Sequence, residues 1–301
     1  MKKLGTFFFT TVPLLLGIGI QYVACIYVMI LSALFMLIFA PAITHTSYSY
    51  DDLMVLWSDL NFNAVLMIIF SVSCVAVFSI WYYKSCGGDF LPNAKKTFHP
   101  LQFAGLVFLV PGTQFFTSII ISIISSIFPS WLEAYESLME SAGLGEEVPV
   151  LMMIYSVCLA PISEELIFRG VTMRIAQRAF PFWVANIIQA VLFGVFHMNM
   201  IQGIYAAVLG LFLGYICEKG GSIYLAIVFH ILFNLWGTTA SEWLNVEDPT
   251  LGGIIVIVGT IIGLTAGLVL FIRGTSLVKQ EKTAKVDTAS QTTETDITSQ
   301  E

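Results

Sequence analysis

Long apolar runs, each closed by a short polar stretch, recur along the whole chain and show no strand-like alternation. Lipid has no water to pair backbone N–H and C=O groups, so non-alternating runs of about 20 apolar residues read as membrane-spanning helices. The pattern predicts spans at Phe7–Ala40, Phe62–Tyr83, Leu101–Phe128, Pro149–Arg169 or a little beyond, Phe182–Met198, Ile201–Cys217, Ile223–Ala240 and Leu251–Ile272. The first and third are long, and Pro13 and Pro111 mark a kink or an interfacial bend within them. The predicted fold is an all-α integral membrane protein, a bundle of about eight transmembrane helices.

The loops orient this bundle. Lys2, Lys3, Lys84, Lys95, Lys96, Arg174, Arg178, Lys219, Arg273, Lys279, Lys282 and Lys285 all fall on one side of it. The opposite loops have no Lys or Arg and carry Asp51, Asp52, Asp59, Glu133, Glu136, Glu140, Glu146, Glu147, Glu242, Glu247 and Asp248. Cytoplasmic loops of membrane proteins are enriched in Lys and Arg, so this split predicts a multi-pass protein of the cell membrane with both termini cytoplasmic. The opening MKK and the apolar run after it look like a secretory signal, but Phe7 to Ala42 far exceeds an h-region of about 7–15 residues. It reads as an anchor that stays. Beyond Ile272 the chain turns to Ser, Thr, Gln, Glu and Lys, so Gly274–Glu301 is expected to be a disordered cytoplasmic tail. The organisation is therefore 1–148, the first three helices and their loops; 149–240, a core; 241–273, the last helix; and 274–301, the tail.

Composition agrees: 57% of the residues are hydrophobic, 11% are charged, and mean hydropathy is +0.86. The net charge of −7 comes from the acidic loops and tail. Cys25, Cys74, Cys86, Cys158 and Cys217 form no CxxC or other ligand spacing and read as small apolar residues. There is no internal repeat, no nucleotide-binding glycine loop and no basic, aromatic-interleaved patch, so no nucleic-acid partner is expected. Basic inner loops meet lipid headgroups, and positive-inside orientation already accounts for them.

A charge near the bilayer centre costs about 2.5–3.5 kcal/mol on insertion scales, so charges in the spans need partners or a function. Glu165 and Arg169, four apart with the acid first, share a helix face and can neutralise each other. Glu164 points about 100° away, which leaves one carboxylate over. Pro161 cannot donate a backbone hydrogen bond and loosens the helix just before the acids, which membrane proteins tolerate where the backbone lines a wet cavity. FGVFH ends at His197, and HILFN puts His230 and Asn234 on one face. A lone His or Asn in a span is commonly an interhelical hydrogen bond, and an i,i+4 Glu–Arg pair a buried clasp. Together and in order, a carboxylate, two imidazoles and an amide can activate a water and stabilise an oxyanion.

The ordered set EELIFR (Glu164–Arg169), FGVFH and HILFN, with GSIYLAIVFH between the last two, resembles the CPBP family of intramembrane metal-independent proteases. That family includes the CAAX prenyl endopeptidases and bacterial bacteriocin-processing and immunity relatives. The resemblance covers roughly Val150–Gly237 and makes residues 149–240 a CAAX protease-like catalytic core. It implies that Glu164 activates water, that His197 helps to hold or polarise it, and that His230 and Asn234 donate to the oxyanion. Glu165 and Arg169 are then the supporting clasp. It also implies a peptide or lipidated-peptide substrate and neither metal nor cofactor.

Zinc chemistry is the rival mechanism, yet HExxH is absent and Arg169 would stand beside the cation. The GxGD signature of aspartyl intramembrane proteases is also absent, and Gly220, Gly221 and Ser222 read as a turn rather than a serine-protease motif. The rival class is a non-catalytic immunity or regulatory protein that binds a peptide or a membrane partner in the same cavity.

Overall fold

The structure is a computed structural model that describes residues 2–86, 99–144, 148–239, 246 and 248–298; for Lys2, Ser85, Cys86, Lys282 and 284–298 it describes the backbone alone. Lys95, Lys96, Glu146, Glu147, Ala240, Glu242 and Glu247 lie outside these residues. Among the described residues there are helices and no strands, as expected of an all-α membrane protein. The first span is built from α1 (Lys2–Phe9), α2 (Val12–Leu34), a π turn (Phe35–Phe39) and α3 (Ala40–Thr44). It breaks at Thr10–Thr11, just before Pro13, where a proline at the start of α2 needs no backbone donor. α4 (Tyr50–Ser58) is a short helix ahead of α5 (Leu60–Cys86), the second span. α6 (Pro100–Ile127) is unbroken through Pro111, and α7 (Pro129–Ser141) follows it where a loop was expected.

The fourth span is one continuous helical path, Val150–Gln177, with changes of pitch: α8 (Val150–Ile154), a π turn (Tyr155–Leu159), α9 (Ala160–Glu165), a second π turn (Leu166–Thr172) and α10 (Met173–Gln177). Then come α11 (Phe182–Phe196), α12 (Met200–Gly220), α13 (Ile223–Thr239) and α14 (Pro249–Thr298). Among the described residues six helices are long and apolar enough to cross a membrane; α11 and α13, with 15 and 17 residues, are shorter apolar helices. At 1.5 Å per residue α11 reaches about 22 Å, short of a hydrocarbon core of about 30 Å.

α14 packs along α6 through a glycine seam. A Cβ on Gly112 would come within 2.6 Å of the Leu264 backbone nitrogen, and one on Gly105 within 2.5 Å of that of Phe271. The seam runs to Gly274, where a Cβ would meet Gln102 N at 2.5 Å, and the described backbone of α14 is helical to Thr298. Thr275 and Val278 are buried and Gln102 Nε2 donates to Thr275 Oγ1 at 3.1 Å, so the first turns of the tail pack against the bundle.

The fourth and sixth spans form the centre: 44% of the most apolar stretch of each is buried, against 11% for the first. The described basic ends meet at one end of the bundle. Arg174 pairs with Glu218 at 3.2 Å, Lys219 Nζ lies 5.0 Å from the Phe182 ring centroid, and α1 touches α10.

Candidate active site

Both acids sit on α9, between the two π turns. In the first turn the Ala160 N–H donates to Tyr155 O, five residues back. In that register the next carbonyl, Ser156 O, would be served by residue 161, which is Pro161 and has no N–H. Asn234 of α13 supplies the missing donor: its Nδ2 reaches Ser156 O at 2.8 Å. Ser163 Oγ, buried beside the acids, donates to Ala160 O at 2.9 Å and lies 3.3 Å from Ser71 Oγ of α5. Thr172 Oγ1 donates to Ile167 O at 2.9 Å in the second wide turn.

The predicted clasp is present. Arg169 Nη1 donates to Glu165 Oε1 at 2.8 Å with both side chains fully buried. Arg169 Nη2 donates to Gly210 O at 3.3 Å, and the guanidinium carbon is 4.5 Å from the Phe193 ring centroid. Gly210 lets α12 approach α11 closely, since a Cβ there would meet Ala190 Cα at 3.0 Å. Its carbonyl also accepts from Gln189 Nε2 at 2.8 Å.

The clasp has a third member. His230 Nδ1 lies 2.9 Å from the same Glu165 Oε1. A guanidinium on that oxygen keeps the carboxylate an acceptor, so Nδ1 carries the proton and donates. The other nitrogen, Nε2, is 3.7 Å from Glu164 Oε2, close enough for charge attraction and too long for a hydrogen bond. Both atoms therefore keep capacity for a further partner. His197 is fixed in a similar way: its Nδ1 is 2.9 Å from Phe193 O, and a carbonyl can only accept, so Nε2 again is the free nitrogen. Phe193 packs against both imidazoles, with ring centroids 4.9 Å from His197 and 5.8 Å from His230.

His197, His230 and Asn234 line one cavity of about 370 Å³. Glu164 is not part of its lining. It stands beside His230 with 12% of its side chain exposed, and among the described contacts it meets His230 rather than His197. The family resemblance implies that Glu164 and His197 act on the same water. The π turns and the reach of His230 across to α9 give a different order, Arg169 to Glu165 to His230 to Glu164.

Several contributors escaped the sequence reading. Tyr135 and Met139 of α7 line the cavity, and Tyr135 is hydrogen-bonded to Tyr205 of α12. Burial pushes the Tyr135 phenol above its usual value, with the Tyr205 bond acting the other way, so it stays neutral. The signal was the spacing of Trp131, Leu132, Tyr135, Leu138 and Met139, one face of an amphipathic helix. Gln114 also lines the cavity and donates to Phe233 O at 2.7 Å. Asn186 and Gln189, buried on α11, were visible as polar residues in an apolar span.

The family model for type II CAAX prenyl endopeptidase Rce1-like proteins matches residues 146–236. No curated protein and no solved structure matches. The matched stretch holds both glutamates, Arg169, both histidines and Asn234. These residues, 146–236, place that stretch of the membrane-embedded chain in the CAAX protease-like family.

Proposed function

We infer that the protein is a metal-independent endopeptidase of the cell membrane, with both termini cytoplasmic, which hydrolyses a membrane-associated peptide or lipidated peptide. The observation that carries this reading is the relay Arg169–Glu165–His230–Glu164 beside the cavity, with distances of 2.8, 2.9 and 3.7 Å. Glu164 takes a proton from a water as the water oxygen bonds to the peptide carbonyl carbon. The developing oxyanion is met by N–H donors at the cavity wall, from His230 Nε2 when protonated and from the Asn234 N–H that Ser156 does not use. When the C–N bond breaks, Glu164 returns its proton to the leaving nitrogen. Glu165, held by Arg169, fixes the His230 ring and offsets positive charge on it. His197 presents Nε2 to the same cavity and polarises the water or the substrate.

The test is cleavage of a peptide library, prenylated and unprenylated, by the purified protein and by Glu164→Gln, with and without a chelator. Loss of a general base costs about 10²–10⁴ in rate. Cleavage that withstands the chelator and falls by that order in the variant is the expected result. Undiminished cleavage by a folded Glu164→Gln protein would sink the assignment. A second reading is favoured by the position of Glu164 outside the cavity lining: a bacteriocin-immunity or regulatory protein that only binds a peptide or membrane partner there. In that case Glu164→Gln leaves the cellular phenotype intact, and a blocking change such as Thr238→Trp removes it.

A further inference from the structure

The cavity belongs to one half of the bundle. On α6 its lining runs over Gln114–Ile121, in the second half of Pro100–Ile127. On α12 it runs over Gln202–Leu209, in the first half of Met200–Gly220, and on α13 over His230–Thr238, in the second half of Ile223–Thr239. The fourth span contributes Ser156, from its first turns. Each of these half-helices is the one far from the basic ends, which are tied together by Arg174–Glu218, by Lys219 over Phe182 and by Gln102–Thr275 next to Arg273. Gly237, exposed and two residues from the end of α13, and Thr238 beside it line the cavity, so it reaches the end that the Lys- and Arg-free loops occupy. α7 lies across that end, with Tyr135 and Met139 turned into the cavity and Glu133, Glu136 and Glu140 exposed.

We propose that the cavity opens on the non-cytoplasmic face of the membrane, and that the occupant is a peptide segment presented from that face. This rests on the endopeptidase or peptide-binding reading for its occupant, and on the positive-inside rule for its direction. By sequence, twelve of the 13 Lys and Arg residues fall in the termini and loops assigned to the opposite side, Arg169 being the exception, so the direction does not hang on any single loop. Peptides confined to the cytoplasmic surface, including C-terminally prenylated ones, would meet the basic end, away from the cavity. A secreted or exported peptide, or the outer flank of a membrane-spanning segment, reaches the open one.

The experiment is cysteine accessibility in intact cells that express the full chain with its five native cysteines replaced by alanine. Thr238→Cys reports the cavity and Lys279→Cys the basic end, each treated with a membrane-impermeant maleimide before and after permeabilisation. The expected result is labelling of Thr238→Cys in intact cells, blocked by prior treatment with a second impermeant thiol reagent, and labelling of Lys279→Cys only after permeabilisation. The reverse pattern overturns the proposal, as does labelling of both in intact cells. Failure of Thr238→Cys to react even after permeabilisation shows a cavity closed to both faces and overturns it too. Labelling does not depend on turnover, so the expected pattern without any peptide cleavage rejects the enzyme and leaves the access face standing.

Discussion

The Arg169→Met variant tests whether the buried clasp is an electrostatic device or a packing one. Methionine keeps an apolar chain of similar reach and removes the guanidinium. Arg169 is fully buried, with Nη1 2.8 Å from Glu165 Oε1, Nη2 3.3 Å from Gly210 O and its guanidinium carbon 4.5 Å from the Phe193 centroid. Removing one partner of a buried ion pair costs about 3–5 kcal/mol, because the other charge is left uncompensated. The lost cation–π contact adds up to about 2 kcal/mol in a desolvated setting. His230 still donates to Glu165 Oε1 at 2.9 Å and offsets part of this. A net loss of about 3–4 kcal/mol is expected, a large fraction of a typical stability of about 5–15 kcal/mol. Adding Glu165→Gln removes the orphaned charge, and the amide oxygen can still accept from His230 Nδ1. The double variant should therefore be more stable than Arg169→Met alone. Unfolding of the detergent-solubilised protein by heat, at fixed detergent concentration, measures both changes against the parent. A double variant no more stable than Arg169→Met would refute the reasoning and assign the loss to packing.

Asn234→Ala should cost about 1–3 kcal/mol by leaving Ser156 O without its donor. Pro161→Ala in the same chain restores an N–H and should recover part of that loss, so strictly additive effects on the melting temperature would reject the compensation. Gly112→Ala places a Cβ 2.6 Å from Leu264 N and should destabilise by about 1–3 kcal/mol, whereas Gly253→Ala, with nothing within 4 Å, should be neutral or stabilising. Equal effects of the two on the melting temperature would dispose of the seam. The Ser49 N–H, at 2.7 Å, and then the Ser49 hydroxyl hold the Asp52 carboxyl below its usual range. A depressed carboxyl stabilises fully above its unfolded value and ceases to do so as pH falls through its folded value. Amide protection in the first turn of α4 should thus persist through mildly acidic pH and fall only below the usual carboxylate range, and Asp52→Asn should remove that dependence. Protection that declines at the ordinary carboxylate value would contradict the cap.

What could be read from the sequence was local, and what could not was carried by distant contacts. The all-α class follows from the solvent: lipid forces every backbone group to pair within its own helix, so hydropathy alone gives the apolar helices and their rough bounds. The Glu165–Arg169 clasp follows from helical spacing and survives even though Arg169 lies in a π turn. The partner that completes it, His230, stands 65 residues away, and no periodicity encodes which of two adjacent acids it will hold. Asn234 shows why most clearly. Its spacing from His230 and the family resemblance both made it a donor to a reacting oxygen, yet one of its two N–H groups goes to Ser156 O, 78 residues distant. That carbonyl is free because Pro161 cannot serve it, so the proline that widens the helix ahead of the acids and the amide that repairs the damage act as one device. Asn234 thus ties α13, and with it His230, to the turn that sets Glu164 and Glu165 in place. Loss of the amide would then disturb the position of the acids as well as any oxyanion contact, so reduced activity in an Asn234 variant identifies a direct catalytic role only if Pro161→Ala fails to restore it.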